Sequence, residues 1–196
     1  MSIRPDLFAV FLSLLLVGCG AQPVQTLSPP QQRELEELNQ HFAYHSQPVN
    51  PRALDELACW ISDRYSGPVA IDMAGTLDSN RYYGSVEKSG GRFGFKRAGD
   101  DNGSFFYQHI GRLNNGLHVL HTINNTGGSG EFHSLMLIRF KAQVAFMDDG
   151  KKIWRIVMEQ VGELPLGDRT DAELSVSGNS VVVKDRGKLI KTIRCE

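Results

Sequence analysis

From Ser89 to the C-terminus the chain is cut at short intervals by turn sequences: Ser89-Gly90-Gly91, Asp101-Asn102-Gly103, Asn115-Gly116, Asp149-Gly150, Gly178-Asn179 and Arg186-Gly187. Gly, Asn and Asp tolerate the positive φ angles of tight hairpin turns, so such pairs between β-forming runs mark hairpins. The intervening segments have the matching pattern. Val69, Ile71 and Met73 alternate with Ala70, Asp72 and Ala74, the period-two signature of a half-buried strand. Further strands are predicted over residues 81–88, 92–97, 104–112, 117–124, 131–146, 153–161, 172–177, 180–184 and 189–195. With no helical segments between them, these strands imply an antiparallel meander, closed as a barrel or stacked as a sandwich. A Gly178-Asn179 turn would set Val176 opposite Val181 and Leu174 opposite Val183, placing four apolar side chains on one face.

Two helices are predicted ahead of this region. Ser28 can cap, Pro29 suits the first turn, and Gln31 completes a capping box. This helix should run to about Phe42, with Leu35, Leu38 and Phe42 as a narrow apolar stripe and Arg33 pairing with Glu37 outside. Asn50-Pro51 opens a second helix on the same logic, with Leu54, Leu57, Ala58, Ile61 and Tyr65 on one face. Gly67-Pro68 ends it. The fold expected is mainly β with two N-terminal helices.

The first twenty residues have a different character. An apolar run from Leu7 to Val17 follows Arg4 and ends in Leu16-Val17-Gly18-Cys19. Its eleven or so residues suit a signal peptide and fall well short of the roughly 20 that span a bilayer. This leader resembles the lipobox of bacterial lipoproteins. The resemblance implies cleavage before Cys19, lipidation of that cysteine, and anchorage to an envelope membrane facing the periplasm; multiple acyl chains anchor stably where one does not. By analogy with enterobacterial lipoproteins, Gly20 after the cysteine implies transfer to the outer membrane where one exists. Residues 1–18 are then the leader, 19–28 the lipidated cysteine and an uncharged tether, and 29–196 one globular domain.

Charge excludes one class of partner. The net charge is −1, and Arg4 and Asp6 cancel within the leader, so no basic excess remains to attract nucleic acid. With Cys19 acylated, Cys59 and Cys195 remain, and two thiols in an oxidising compartment tend to pair. Two free thiols or an intermolecular bridge are the alternatives. Cys59 points nearly opposite Leu57 and Ile61 on the second helix, so pairing requires the last strand to lie along that helix's other side.

One constellation resembles a site. With Asn115-Gly116 as a two-residue turn and residues 126–129 as a four-residue loop, His109, Thr122 and His133 form one row, with Tyr107, Asn124 and Glu131 beside it. These six residues are the candidate ligand patch. No metal is predicted there: strands about 4.8 Å apart leave His109 and His133 nearly 10 Å apart at the backbone, meeting head-on rather than tetrahedrally. His118-x-x-His121 is no ligand doublet, since residues three apart on a strand face opposite ways. Gly127-Gly128-Ser129-Gly130 lacks the following helix of a phosphate loop or nucleophile elbow and reads as a hairpin loop. Asp100-Asp101-Asn102-Gly103 and Asp148-Asp149-Gly150 lack the spaced ligands of a calcium loop and read as turns. Trp60 and Trp154 are expected in or near the core.

No cofactor is called for. The leading expectation is a non-enzymatic envelope lipoprotein whose β-domain binds an envelope protein or a small ligand. A second is a carrier of an apolar ligand, since size and strand count resemble lipocalin-like barrels, although Gly67-Pro68-Val69 stands where their Gly-x-Trp mark would be. A third is a hydrolase using His109 or His133 with Glu131 as acid and base.

Overall fold

A computed structural model describes residues 27–58, 70–76, 85–99 and 103–195. Cys19, Cys59, Trp60, Ile61, Tyr65, the Gly67-Pro68 helix end and the Asp101-Asn102 half of one expected turn lie outside them. The N-terminal part holds α1 (Pro29–His41), a two-stranded hairpin of β1 (Ala43–Tyr44) and β2 (Gln47–Pro48), and α2 (Pro51–Ala58). β3 (Ala70–Asp72) leads into a 3-10 turn (Met73–Thr76). Then come β4 (Glu87–Ser89), β5 (Arg92–Lys96), β6 (Ser104–Arg112), β7 (His118–Asn125), β8 (Phe132–Phe146) and β9 (Lys152–Asp168). β10 (Ala172–Ser177), β11 (Ser180–Asp185) and β12 (Lys188–Arg194) complete the described chain.

The expected fold class is present: mainly β, antiparallel, with two helices at the N-terminal end. β4 to β9 form a continuous meander, and β3 adds outside β9, giving a curled seven-stranded sheet in the order β3-β9-β8-β7-β6-β5-β4. β10, β11 and β12 form a separate three-stranded sheet. The large sheet is covered on both faces. Helix residues Leu38, Leu54 and Leu57 pack against Phe105, Tyr107, Leu120, Met136, Ile138 and Met158 on one face. The three-stranded sheet packs Val181, Val183 and Ile193 against Leu113, Val119, Leu135 and Leu164 on the other. The helices and the small sheet each bury one apolar face and the large sheet buries both, the requirement that makes layered architectures stable.

Local chemistry accounts for the elements. Gln31 Oε1 accepts hydrogen bonds from the backbone N–H and from the hydroxyl of Ser28, each at 3.0 Å, closing the start of α1. Phe42 ends the helix in the left-handed region, its N–H bonded to the Leu38 carbonyl at 3.0 Å. Glu37, expected to pair with Arg33, accepts the Ser46 N–H at 2.7 Å instead and so ties the first hairpin to α1. Asn50 Oδ1 accepts the Arg52 N–H at 2.9 Å at the entry to α2. Gly178-Asn179 sets the predicted register, with Val176 opposite Val181 and Leu174 opposite Val183.

Two turns differ from expectation in the same way. Asn114-Asn115-Gly116 and Asp148-Asp149-Gly150 are three-residue loops. In each, the flanking residues bond (Leu113 N–H to Leu117 O at 2.8 Å; Met147 N–H to Lys151 O at 2.9 Å) and the glycine takes a positive φ. In each, the middle Asn or Asp accepts the N–H two residues on. The first of these loops docks on the small sheet: Asn114 N–H bonds to Gly178 O at 3.1 Å and Asn115 N–H to Asn179 Oδ1 at 2.9 Å.

Candidate functional site

Strand register decides which polar side chains meet, because a one-residue slip moves every side chain to the other face. Between β6 and β7 the three-residue turn shifts the register by one, and a bulge between His109 and Gly111 shifts it again in the same direction. Tyr107 therefore pairs with Thr122 and His109 with Leu120, and His109 stays on the Thr122 face as expected. Between β7 and β8 there is no compensation. Thr122 pairs with Ser134 and Asn124 with Phe132, which leaves five residues, 126–130, in the connecting loop rather than four. His133 is carried to the opposite face.

The single row His109–Thr122–His133 is corrected accordingly. Tyr107, His109, Thr122 and Asn124 lie on the helix-covered face, and His133 lies on the other with Glu131 bonded to it. The four on the helix side are engaged in the structure. Tyr107 donates its hydroxyl to the Val49 carbonyl at 2.6 Å, and burial pushes its pKa far up. Thr122 is buried, with its hydroxyl 3.4 Å from the Ser134 carbonyl. Asn124 Oδ1 accepts from Arg97, which also forms a two-pronged ion pair with Asp55 at 2.6 and 2.8 Å.

His109 meets His118, which the expected register sets on the same face but two pairs further along. Its Nε2 is 3.2 Å from Nδ1 of His118, and the Phe42 ring stacks on it at 4.8 Å and 13°. His118 is fully buried, with the Phe140 ring edge-on at 5.3 Å and its Nε2 without a partner among the described residues. The neutral tautomer that leaves only a lone pair on that Nε2 puts the proton on Nδ1, which donates to His109. Burial first, then His109 and Arg112, holds the His118 pKa down at about 3; burial lowers that of His109.

On the other face a second chain of groups forms. His121 Nε2 is 2.9 Å from His133 Nδ1, and His133 Nε2 is 3.0 Å from Glu131 Oε1. The carboxylate can only accept, so His133 donates through Nε2; in its neutral tautomer its Nδ1 accepts from His121. Both imidazoles are buried, whereas the Glu131 side chain is 49% exposed. Burial, then His133 and Arg92, push the His121 pKa down to about 4. The strand end beyond is clamped: Glu131 N–H bonds to Asp168 Oδ1 at 2.8 Å, and Arg169 N–H to the Glu131 carbonyl at 2.8 Å. The bond from Glu131, helped by Arg169, holds the Asp168 carboxyl below its usual range.

The arrangement is a hydrogen-bonded relay that opens to solvent at one carboxylate. Among the described residues no group of three or more His, Cys, Asp or Glu side chains is placed to hold a metal ion. Spacing already puts His118 on the face of His109, two pairs further along, and the bulge brings the two into contact; His121 is the site residue that spacing alone missed. The five-residue loop was the signal for His121, but nothing in its composition separates four residues from five. Cys195 is a buried thiol in the core between the two sheets, without a disulfide partner among the described residues and with its pKa raised by burial. Its expected partner Cys59 lies outside the described residues. No family model, no curated protein and no solved structure matches the chain.

Proposed function

We propose that this chain is a lipid-anchored protein of a bacterial envelope, tethered through Cys19, whose β-domain serves as a non-enzymatic binding module. The leader ending in Leu16-Val17-Gly18-Cys19 carries the anchor, and the uncharged tether after it leads straight into the start of α1. For the module itself, the carrying observation is the state of His133: both of its ring nitrogens are engaged, by Glu131 and by His121. A histidine so held is turned toward its protein neighbours rather than toward a substrate, which favours a structural role for it over that of a general base. His109 faces the helices and cannot reach Glu131. The same geometry supports a binding role for the half-exposed Glu131, which the two histidines hold in place.

The carrier reading is less well supported. The helix side of the curled sheet is occupied by Leu38, Leu54, Leu57, Met73 and Tyr107, packed as a core.

The test is the mass and fractionation of the mature chain. An N-terminal acylated Cys19, with membrane association lost in Cys19→Ala, is the expected result. An intact leader on the purified product removes the anchor. A hydrolytic activity that disappears in a folded His133→Gln variant removes the non-enzymatic reading.

A further inference from the structure

We infer that the tip of the β8–β9 hairpin is a membrane-contacting foot that seats the domain on a phospholipid surface beside its own tether. The inference rests on the anchored reading above for its orientation.

The hairpin projects. β7 stops pairing with β8 at Ile138, and β3 covers β9 only from Val157 to Glu159. Beyond these points, residues 143–146 and 152–155 pair with each other and with no other described strand. At the end, Phe146 is 71% and Met147 52% exposed, and both lie next to the turn. Phe146 pairs with Lys152, whose ammonium lies 5.8 Å from the Trp154 ring centroid. Large apolar side chains displayed together at an apex, with lysines and an aromatic behind them, are the composition of a bilayer-interface contact.

The chain's entry point says what covers this tip. Leu27 is buried in the same cluster against which Trp154 packs, and Gln31 Nε2 bonds to the Trp154 carbonyl at 3.0 Å. The tether therefore reaches the domain at the base of this hairpin. Eight steps of extended chain from Cys19 to Leu27 span at most about 28 Å. From Trp154 to the apex is about five residues of strand and turn, roughly 16 Å. A Cys19 held at the membrane thus keeps the foot within reach of the headgroups, with slack to spare. The apex is electrically balanced: Asp148 and Asp149 lie in the turn and Lys151 and Lys152 follow it. The contact is therefore apolar, and the bilayer surface need not be anionic.

The test uses the chain from Gly20 with an N-terminal hexahistidine tag, bound to phosphatidylcholine–phosphatidylethanolamine vesicles containing nickel-chelating lipid. This supplies a tether whether or not Cys19 is acylated, so failure of the foot and failure of the anchor are separate results. Phe146→Trp and Ile190→Trp each add a fluorophore at an exposed site, the latter on β12 of the small sheet. With bromine-substituted phosphatidylcholine in the vesicles, the emission added by Phe146→Trp should shift blue and be largely quenched, and that added by Ile190→Trp should not. High salt should leave the quenching unchanged. Equal quenching at the two sites, no quenching at Phe146→Trp, or quenching abolished by salt would each overturn the inference. Circular dichroism of both variants should match that of the parent chain.

Discussion

Lowering the pH should weaken this fold well before its carboxylates titrate, and two buried histidines, His118 and His121, set the size of the effect. Unfolded histidine titrates near 6.5, whereas His118 is held down at about 3 and His121 at about 4 in the native protein. Between those values the unfolded chain takes up protons that the native chain does not. Stability is therefore full above pH 6.5 and falls as the pH drops toward 4 for His121 and toward 3 for His118. From about pH 7.5 to about pH 5, each group loses some 1.5 units at about 1.4 kcal/mol per unit, or about 2 kcal/mol. The two together cost about 4 kcal/mol, a large fraction of the 5–15 kcal/mol typical of a domain. Glu163, its pKa raised by burial, works in the opposite sense and offsets part of the loss once the pH approaches the carboxylate range. Urea unfolding followed by circular dichroism at the two pH values reads the difference, with a constant slope showing that the native state is unchanged. Ring-proton chemical shifts of His118 and His121 should stay at their neutral positions across this window. Stability that is flat from pH 7.5 to 5, or a native ring at either position titrating near 6.5, would refute the reasoning.

Three substitutions test the packing that sets these positions. Tyr107→Phe removes the bond to the Val49 carbonyl and leaves that acceptor buried, costing about 1–2 kcal/mol in urea unfolding; a neutral result would mean that water replaces the hydroxyl. Asp55→Ala strips Arg97 of its two-pronged partner. Because the Arg97 side chain is a quarter exposed, the cost should be about 2–3 kcal/mol rather than the 3–5 of a fully buried pair, and a loss below 1 kcal/mol would show the pair to be ornamental. Gly94→Ala would drive a Cβ into the Phe105 carbonyl oxygen and the Phe106 ring, so strands β5 and β6 must shift; a loss of about 1–3 kcal/mol is expected, and an unchanged melting temperature would refute the close approach.

How much of this was legible beforehand follows from the range of each interaction. Helix starts at Ser28 and Asn50 depend on groups within three residues of each other and could be read directly. So could the β10–β11 register, because Gly178-Asn179 is a two-residue turn with one geometry. The extension of β9 to Asp168 was not legible: it runs through Gly162, Pro165 and Gly167, residues that argue for a break, and survives because β8 supplies a partner along its whole length and bulges absorb the mismatch. The first hairpin was missed for a similar reason. Its turn uses His45 and Ser46 at positive φ, where local preference favours Gly or Asn, and its anchoring to Glu37 carries it.

The candidate site shows the same division more sharply. Residue order by itself determined that this chain would be an antiparallel β-domain behind two helices, because alternation, capping and turn chemistry act within a few residues. It also placed Tyr107, His109, Thr122 and Asn124 on a common face. Only the folded sheet decided that His133 turns away from them to join His121 and Glu131, and that His109 joins His118 under Phe42. The cause is one loop residue and one bulge: strand faces invert with each unit of register, and that register is settled by packing between layers far apart in the chain.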